Sequence, residues 1–292
     1  MPLTNVTSTA LPQLPERPLD SHKGLYGHAL MVGGSRGMSG AITLAGLATL
    51  RSGAGLVTLV VPQSIQDVVA GYNPSYMTHG LAGATDHMVA AAADEVLALA
   101  ESMTVLALGP GLGRADSTIE FVARLYREVK QPMVVDADAL FALAQHKELL
   151  TQAAGPRILT PHPGEFARLT GTKPTSDDAA RSLAAGELAS ASGHSNLIVV
   201  LKGHHTVITD GSRYALNQTG NPGMATGGAG DVLTGVITSL VCQHLAPFDA
   251  ARLGTHLHGL AGDLAAEKLG QVSLIASDLI DFLPAAFQAV SK

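Results

Sequence analysis

The chain is expected to fold as an α/β protein, with a central, mostly parallel sheet flanked by helices. Three observations carry that expectation. Short apolar runs bounded by glycine or proline recur along the first half, and amphipathic stretches long enough to return to the start of a neighbouring parallel strand separate them. Glycines then gather just after several of those runs, where open α/β sheets bind ligands.

In chain order, the apolar runs at 28–34 (HALMVGG), 55–62 (GLVTLVVP), 104–111 (TVLALGPG), 132–138 (PMVVDAD) and 156–161 (PRILTP) read as buried strands. Helical patterns lie between them at 39–52, 85–101 and 116–130. Beyond residue 160, helices are expected at 163–170 and 177–192. NLIVVLKG, HTVITD and SRYALN follow as closely spaced strands with a hairpin-like turn at Asp210 and Gly211. Helices at 229–243, 248–269 and 277–290 should pack on the sheet. Residues 1–19, punctuated by proline and without a basic start or a continuous apolar segment, read as an extended arm rather than a signal peptide. Residues 20–292 are expected to form a single domain.

Composition excludes several classes. With 46% hydrophobic and 14% charged residues over 292 positions, the chain should bury a large core. Its 18 basic and 24 acidic residues give a net charge of -6, and no basic run could track a nucleic-acid backbone. No apolar run reaches the length of a bilayer span. The single cysteine, Cys242, sits in an apolar helical pattern, reads as a core residue and forbids an intrachain disulfide; a cytoplasmic location is expected.

The segment from Asn217 to Leu233 (NQTGNPGMATGGAGDVL) is the most informative. Glycines let the amides near Gly227, Gly228, Ala229 and Gly230 converge on an anion, and the helix that follows adds its positive end. Asp231 is then expected to remain ionised and to take a proton from a hydroxyl. The competing reading is a glycine turn with Asp231 as helix N-cap. Elsewhere, GGSRGMSGA does not match GxGxxG, GPGLG lacks its final spacing, and no Gly-Lys dipeptide exists to make a Walker loop.

Other polar groups end strands. Asp136 and Asp138 could hold magnesium or orient a ligand, with helix capping by Asp138 as the alternative. His162, between Pro161 and Pro163, is a ligand contact or a plain loop residue ahead of Glu165 in a first helical turn. Lys202, Gly203, His204, His205 and Thr206 suit a nucleotide, or form a turn with a solvated lysine. His256 and His258, two apart on a helix, face different ways and are assigned to packing and hydrogen bonding.

The order of motifs is more specific than any one of them: HKGLYGHALMVGGS, SGAITLAGLATLRSGAGLVTL, LGPGLG, VVDADAL, LTPHPGEFARL, VLKGHHTVI and NPGMATGGAGDVLTGVI. Over residues 20–290 this resembles the ADP-dependent NAD(P)H-hydrate dehydratase family of the ribokinase-like superfamily, and so implies a ribokinase-like layered fold. The resemblance implies that Asp231 is the catalytic base. It implies that Ala41, Gly113, His162 and Asp231 touch hydrated NADH or NADPH, that Lys202 through Thr206 with Gly230 bind ADP or AMP, and that Asn221 supports the loop carrying the acid. It further implies magnesium with unassigned ligands, an NAD(P)H-hydrate epimerase as functional partner, no epimerase domain within the opening arm, and a homotetramer. Two positions depart from the family pattern. Met38 stands where an aromatic residue is common, which puts stacking on the substrate in question. Ala229 stands where a hydroxyl residue is common, which removes a side-chain donor to phosphate. A ribokinase-like kinase for a vitamin precursor and a nucleotide-binding protein without turnover are the rival readings.

Overall fold

The computed structural model describes residues 3–191 and 197–290. Ten strands form one sheet: β1 (Thr4–Asn5), β2 (His28–Val32), β3 (Leu56–Pro62), β4 (Met77–Leu81), β5 (Val105–Leu108), β6 (Met133–Val135), β7 (Arg157–Leu159), β8 (Leu197–Leu201), β9 (Val207–Thr209) and β10 (Arg213–Leu216). Their order across the sheet is β1-β10-β9-β8-β7-β6-β5-β2-β3-β4. Only β9 runs antiparallel to its neighbours, so the carboxyl ends of β2 through β8 lie along one edge. The helices are α1 (Ser39–Arg51), α2 (Gln66–Ala70), α3 (Ala93–Ala100), α4 (Asp116–Glu128), α5 (Ala137–Gln145), α6 (Pro163–Thr170), α7 (Asp178–Ser190), α8 (Ala229–Cys242), α9 (Pro247–Leu269) and α10 (Ala276–Val290).

Strand alternation divides the core into two layers. On β2, Ala29 and Met31 face one layer with α1, α8, α9 and α10, while Leu30 and Val32 face the other with α3 to α7. Because both faces are covered, the central strands read as continuous apolar runs, and that is why the sequence exposes them.

The structure departs from the sequence reading in two places. The helix expected at 85–101 is regular only over α3, after a short 3-10 turn at Ala90–Ala92. The segment before it spends its carbonyls on neighbouring loops: Asp86 O accepts from Arg36 N (2.8 Å), Thr85 O from Ser64 N (3.2 Å) and Met88 O from Thr118 Oγ1 (2.8 Å). Strand β4 was not expected, because MTHGL carries no apolar run; as an edge strand against β3 alone it needs none. Within residues 1–19, Thr4–Asn5 pairs with β10 at the other edge. Residue 192 of the helix expected at 177–192 and Asn196 of NLIVVLKG lie outside the described residues. Among those described, no helix is long and apolar enough to cross a membrane.

Helix α8 matters most for the site, because it runs over the central strands with its first turn at the sheet's carboxyl edge. Its approach to α1 depends on Gly235. A Cβ there would lie 2.2 Å from the Ala45 carbonyl oxygen and 2.7 Å from Ala48 Cβ, and Thr49 Oγ1 donates to the Gly235 carbonyl at 3.1 Å. Gly235→Ala is therefore expected to destabilise the fold by about 1–3 kcal/mol despite the better helix propensity of alanine, as measured by urea unfolding. An unchanged midpoint would show that α1 and α8 can separate freely.

Candidate active site

The carboxyl ends of β6, β7 and β8, the loop from Asn217 to Gly228 and one side of α9 enclose a cleft of about 900 Å³. At its floor lies an ion pair. Lys202, the residue after β8, places Nζ 2.8 Å from Asp136 Oδ1 at the end of β6 and 3.9 Å from Glu165 Oε2 in α6. The second oxygen of Asp136 accepts from Thr234 Oγ1 at 2.8 Å, so this fully buried carboxylate is held from two sides. The chain bends sharply to achieve it. Ala137 adopts φ 51°, which costs a residue with a Cβ roughly 1 kcal/mol, and Gly109 passes so close that a Cβ there would lie 1.8 Å from the Asp136 carbonyl oxygen.

Directly above this pair sits the first turn of α8. Gly228, at φ 92°, occupies the N-cap position, so Asp231 is the third residue of the helix and not its cap. Among the described residues, the amides of Gly228, Gly230 and Asp231 meet no backbone carbonyl, whereas that of Ala229 reaches Thr226 O at 3.4 Å. Three unsatisfied donors and the positive end of a fourteen-residue helix thus point at the cleft. Gly230 keeps the way open: a Cβ there would stand 3.3 Å from Lys202 Nζ and 3.7 Å from Asp136 Oδ2.

The electrostatics correct one expectation. Burial, reinforced by the negative charge of Asp136, pushes the pKa of Asp231 up to about 7, so the carboxyl is only partly ionised near neutrality. Glu165 is likewise raised to about 7, by burial first and Asp136 next, with Lys202 opposing. Burial alone would lower the pKa of Lys202; Asp136 and Glu165 more than reverse this and hold the ammonium charged.

His162 is neither a free loop residue nor a free base. It caps α6, its Nδ1 accepting from Gly164 N (2.9 Å) and Glu165 N (3.3 Å) while Glu165 Oε2 accepts from His162 N (2.8 Å). Burial, then Lys202, lowers its pKa, so the ring stays neutral and faces the cleft. Lys202 through Thr206 also line the cleft, and Lys202 is not the solvated turn lysine of the alternative reading. Arg181, buried in α7, binds the carbonyls of this segment from behind, at 2.6 Å to His204 and 3.2 Å to His205. Asn221 bridges its loop to α9: Nδ2 donates to Asp263 Oδ1 (3.0 Å) and Oδ1 accepts from Gly223 N (3.0 Å).

Ala41 and Gly113 belong to an adjoining wall. Ala41 packs beside Gly111, and a Cβ at Gly113 would meet Ser35 Oγ at 3.6 Å and Met38 Cε at 3.7 Å. Asp138 ties that wall to the cleft by accepting from Gly113 N (2.9 Å) and Arg114 Nε (2.8 Å), which is its role in place of helix capping. Met38 is exposed beside Gly113, Gly227 is exposed at the rim, and Ala229 is buried in the core. Sequence reasoning did not find Thr234, Arg181, Asp263 or a site position for His258. Thr234 had a signal, since it lies one helical turn beyond Asp231; the others meet the site only through tertiary packing.

Comparison with known proteins decides the family. The family model described as NAD(P)H-hydrate dehydratase matches residues 29–285. The chain belongs to this family. It is 49% identical over 278 residues to the bifunctional NAD(P)H-hydrate repair enzyme of Moorella thermoacetica, covering 93% of this chain and 51% of that protein. The chain spans about half the length of the bifunctional members it matches. It is 36% identical to the ADP-dependent (S)-NAD(P)H-hydrate dehydratase of Bacillus subtilis, covering 93% and 92% of the two chains. The structure of the ADP/ATP-dependent enzyme from that organism, co-crystallised with ATP/Mg2+, superposes with a TM-score of 0.78 at 34% identity over 95% and 94%. A ribokinase-like superfamily protein of Enterococcus faecalis superposes with the same score at 25% identity over 95% and 92%, in keeping with a ribokinase-like fold for this family member.

The raised pKa of Asp231 also has a sign in stability. An acid whose folded pKa is about 7 against an ordinary 3.8 contributes stability that is complete below 3.8 and lost as pH rises through 7. Asp231→Asn should therefore raise the melting temperature near pH ~8, with the gain fading toward pH ~4. A gain independent of pH would place the charge of Asp231 in solvent.

Proposed function

We propose that the chain catalyses the ADP-dependent dehydration of the S-epimer of NADH hydrate and NADPH hydrate, releasing AMP and phosphate. The observation that carries this reading is the meeting of a carboxyl of pKa about 7, Asp231, with the free amides of its own helix turn in one cleft. A base matched to neutral pH can accept a hydroxyl proton, and oriented amides can stabilise charge on a group in transfer. Neither feature alone selects phosphoryl transfer; side by side they supply both of its requirements.

Asp231 accepts the proton of the C6 hydroxyl as that oxygen attacks the β-phosphate of ADP. The new O–P bond forms as the bond to the α-phosphate oxygen breaks and AMP leaves. Phosphate is a far better leaving group than hydroxide. The ring nitrogen's electron pair expels it from C6, and loss of a proton from C5 restores the dihydronicotinamide double bond. Lys202 holds the phosphates at the foot of the cleft, Gly203 through Thr206 with Gly230 line the ADP site, and the amides of Gly228, Gly230 and Asp231 receive the transferred group. Ala41, Gly113 and His162 line the dinucleotide side. The cleft's volume of about 900 Å³ stands near the upper end of the range for ligand pockets, roughly 300–1,000 Å³.

Asp136 and Glu165 would be the acids of the cleft to hold magnesium together with the nucleotide's phosphates. Among the described residues no cluster of three or more ligating side chains could cage an ion alone, which fits an ion shared with the nucleotide. When bound, magnesium neutralises charge on the β-phosphate. An epimerase supplying the S-epimer is the functional partner of this reading, and a cytoplasmic homotetramer is its expected setting.

Hydrated NADH incubated with ADP should yield NADH, followed by its absorbance, with stoichiometric AMP and phosphate. A stable phosphoester on another alcohol would instead establish a kinase, and binding without product a silent protein. Asp231→Asn should abolish turnover while ADP affinity stays within a few fold, and in the native protein kcat/KM should rise with pH through about 7 as Asp231 ionises. Near-normal turnover of the variant would reject Asp231 as the base.

A further inference from the structure

Helix α9 is the template on which the whole segment from Asn217 to Asp231 is mounted. Thr219 Oγ1 donates to the His256 carbonyl at 2.9 Å, and Asp263 receives both Gly220 N (2.8 Å) and Asn221 Nδ2 (3.0 Å). Two glycines bring the helix that close: a Cβ at Gly259 would lie 2.3 Å from Thr219 Oγ1, and one at Gly262 would lie 2.2 Å from Met224 Sδ. The attachment nearest the reacting groups is His258. Its Nε2 lies 2.9 Å from the carbonyl oxygen of Ala229, the first residue of α8. A carbonyl only accepts, so Nε2 carries the proton. Burial lowers the ring's pKa to about 4, with the bond to Ala229 opposing, and the imidazole stays neutral over the working range.

The position of this bond gives it more than a packing role. The Ala229 carbonyl lies between the Gly228 and Gly230 amides that face the cleft, and two residues before Asp231. A rotation of that peptide plane would swing the Gly230 N–H, which shares it, away from the cleft. Ala229 follows Gly228 at φ 92° and opens α8, so its carbonyl accepts the helix's own bond from four residues on; the Nε2–H of His258 is a second donor to the same oxygen, and it ties that peptide plane to α9.

We propose that His258 is a positioning residue for the phosphoryl transfer: its Nε2–H, donated to the Ala229 carbonyl, fixes the first turn of α8 so that the Gly230 amide and the Asp231 carboxyl face the cleft together. The role deepens the dehydration reading and rests on it. It differs from a structural role in what it leaves intact, because the sheet and the two core layers do not depend on this bond.

The test uses the full chain and three substitutions. Glutamine carries an amide N–H at the distance of the imidazole Nε2, phenylalanine keeps the bulk without a donor, and asparagine is too short to reach. His258→Gln should keep kcat for NADH recovery and ADP affinity within about threefold of the native protein, while His258→Phe should lose about tenfold or more in each with an unchanged melting temperature. His258→Asn carries the same expectation as phenylalanine and serves if the latter does not fold. The proposal is overturned if the donor-less variants keep both kcat and ADP affinity within about twofold, or if the glutamine variant is as impaired as they are. Should the native protein recover no NADH, the dehydration reading fails by itself; calorimetric ADP affinity across the same variants still decides whether His258 orders the turn.

Discussion

One ammonium group organises the site. Lys202 Nζ is within 4 Å of carboxylate oxygens of both Asp136 and Glu165, and the field of Asp231 reaches it as well. Three acids around one base cannot all remain charged in a half-buried cleft without cost, because removing each from water is unfavourable and only one positive charge opposes them. The arrangement resolves this unevenly. Asp136 has the ammonium on one oxygen and the Thr234 hydroxyl on the other, while burial, and then the charge of Asp136, raise the pKa values of Glu165 and Asp231. Burial first, and the charge of Asp136 next, therefore make Asp231 a stronger base than an ordinary aspartate. Phosphates brought into such a cleft would be repelled by the acids alone; the free amides at the start of α8 and the ammonium make the entry favourable.

The buried strands could be read from the sequence because both faces of the sheet are covered and leave long apolar runs, and α6, α8 and α9 because glycines and prolines mark their ends. The glycine turn and Asp231 were visible for the same local reason. What stayed hidden depends on parts of the chain far apart in sequence. Strand β4 earns its place by pairing with β3 and not by composition. The irregular segment ahead of α3 looks helical until loops after β2 and β3 take its carbonyls. Arg181 sits in an unremarkable alanine-rich helix, and only folding brings its guanidinium behind His204 and His205. The charge state of Asp231 was misjudged because folding buries its carboxyl and brings Asp136, ninety-five positions away by the difference of the two residue numbers, into its neighbourhood.

The two departures from the family pattern acquire different weights once placed. Ala229 is buried and packs in the core cluster while its backbone lies at the cleft, and the donors the chemistry needs are main-chain. Met38 is exposed beside Gly113, at the wall adjoining the cleft, where it offers a flexible thioether face in place of a flat ring. A change at this second position bears on how a ring is held, while a change at the first bears on packing beneath α8.

Rigidity in this site is bought locally by backbone constraint rather than by bulk. Ala137 holds a left-handed conformation directly after Asp136, a geometry that persists only where the surroundings over-determine it. Both oxygens of Asp136 are engaged, the Asp138 carboxylate is fixed by Gly113 N and Arg114 Nε, and Gly109 packs against the Asp136 carbonyl. The constraints come from three elements, α8, the end of β8 and the loop after β5, so none of these can relax without displacing another. The same principle governs the opposite wall, where α9 fastens the Asn217–Asp231 segment at Thr219, Gly220, Asn221 and Ala229. A carboxyl whose proton affinity is tuned by a neighbour it does not touch requires that separation to be constant, and two independently fastened walls provide it.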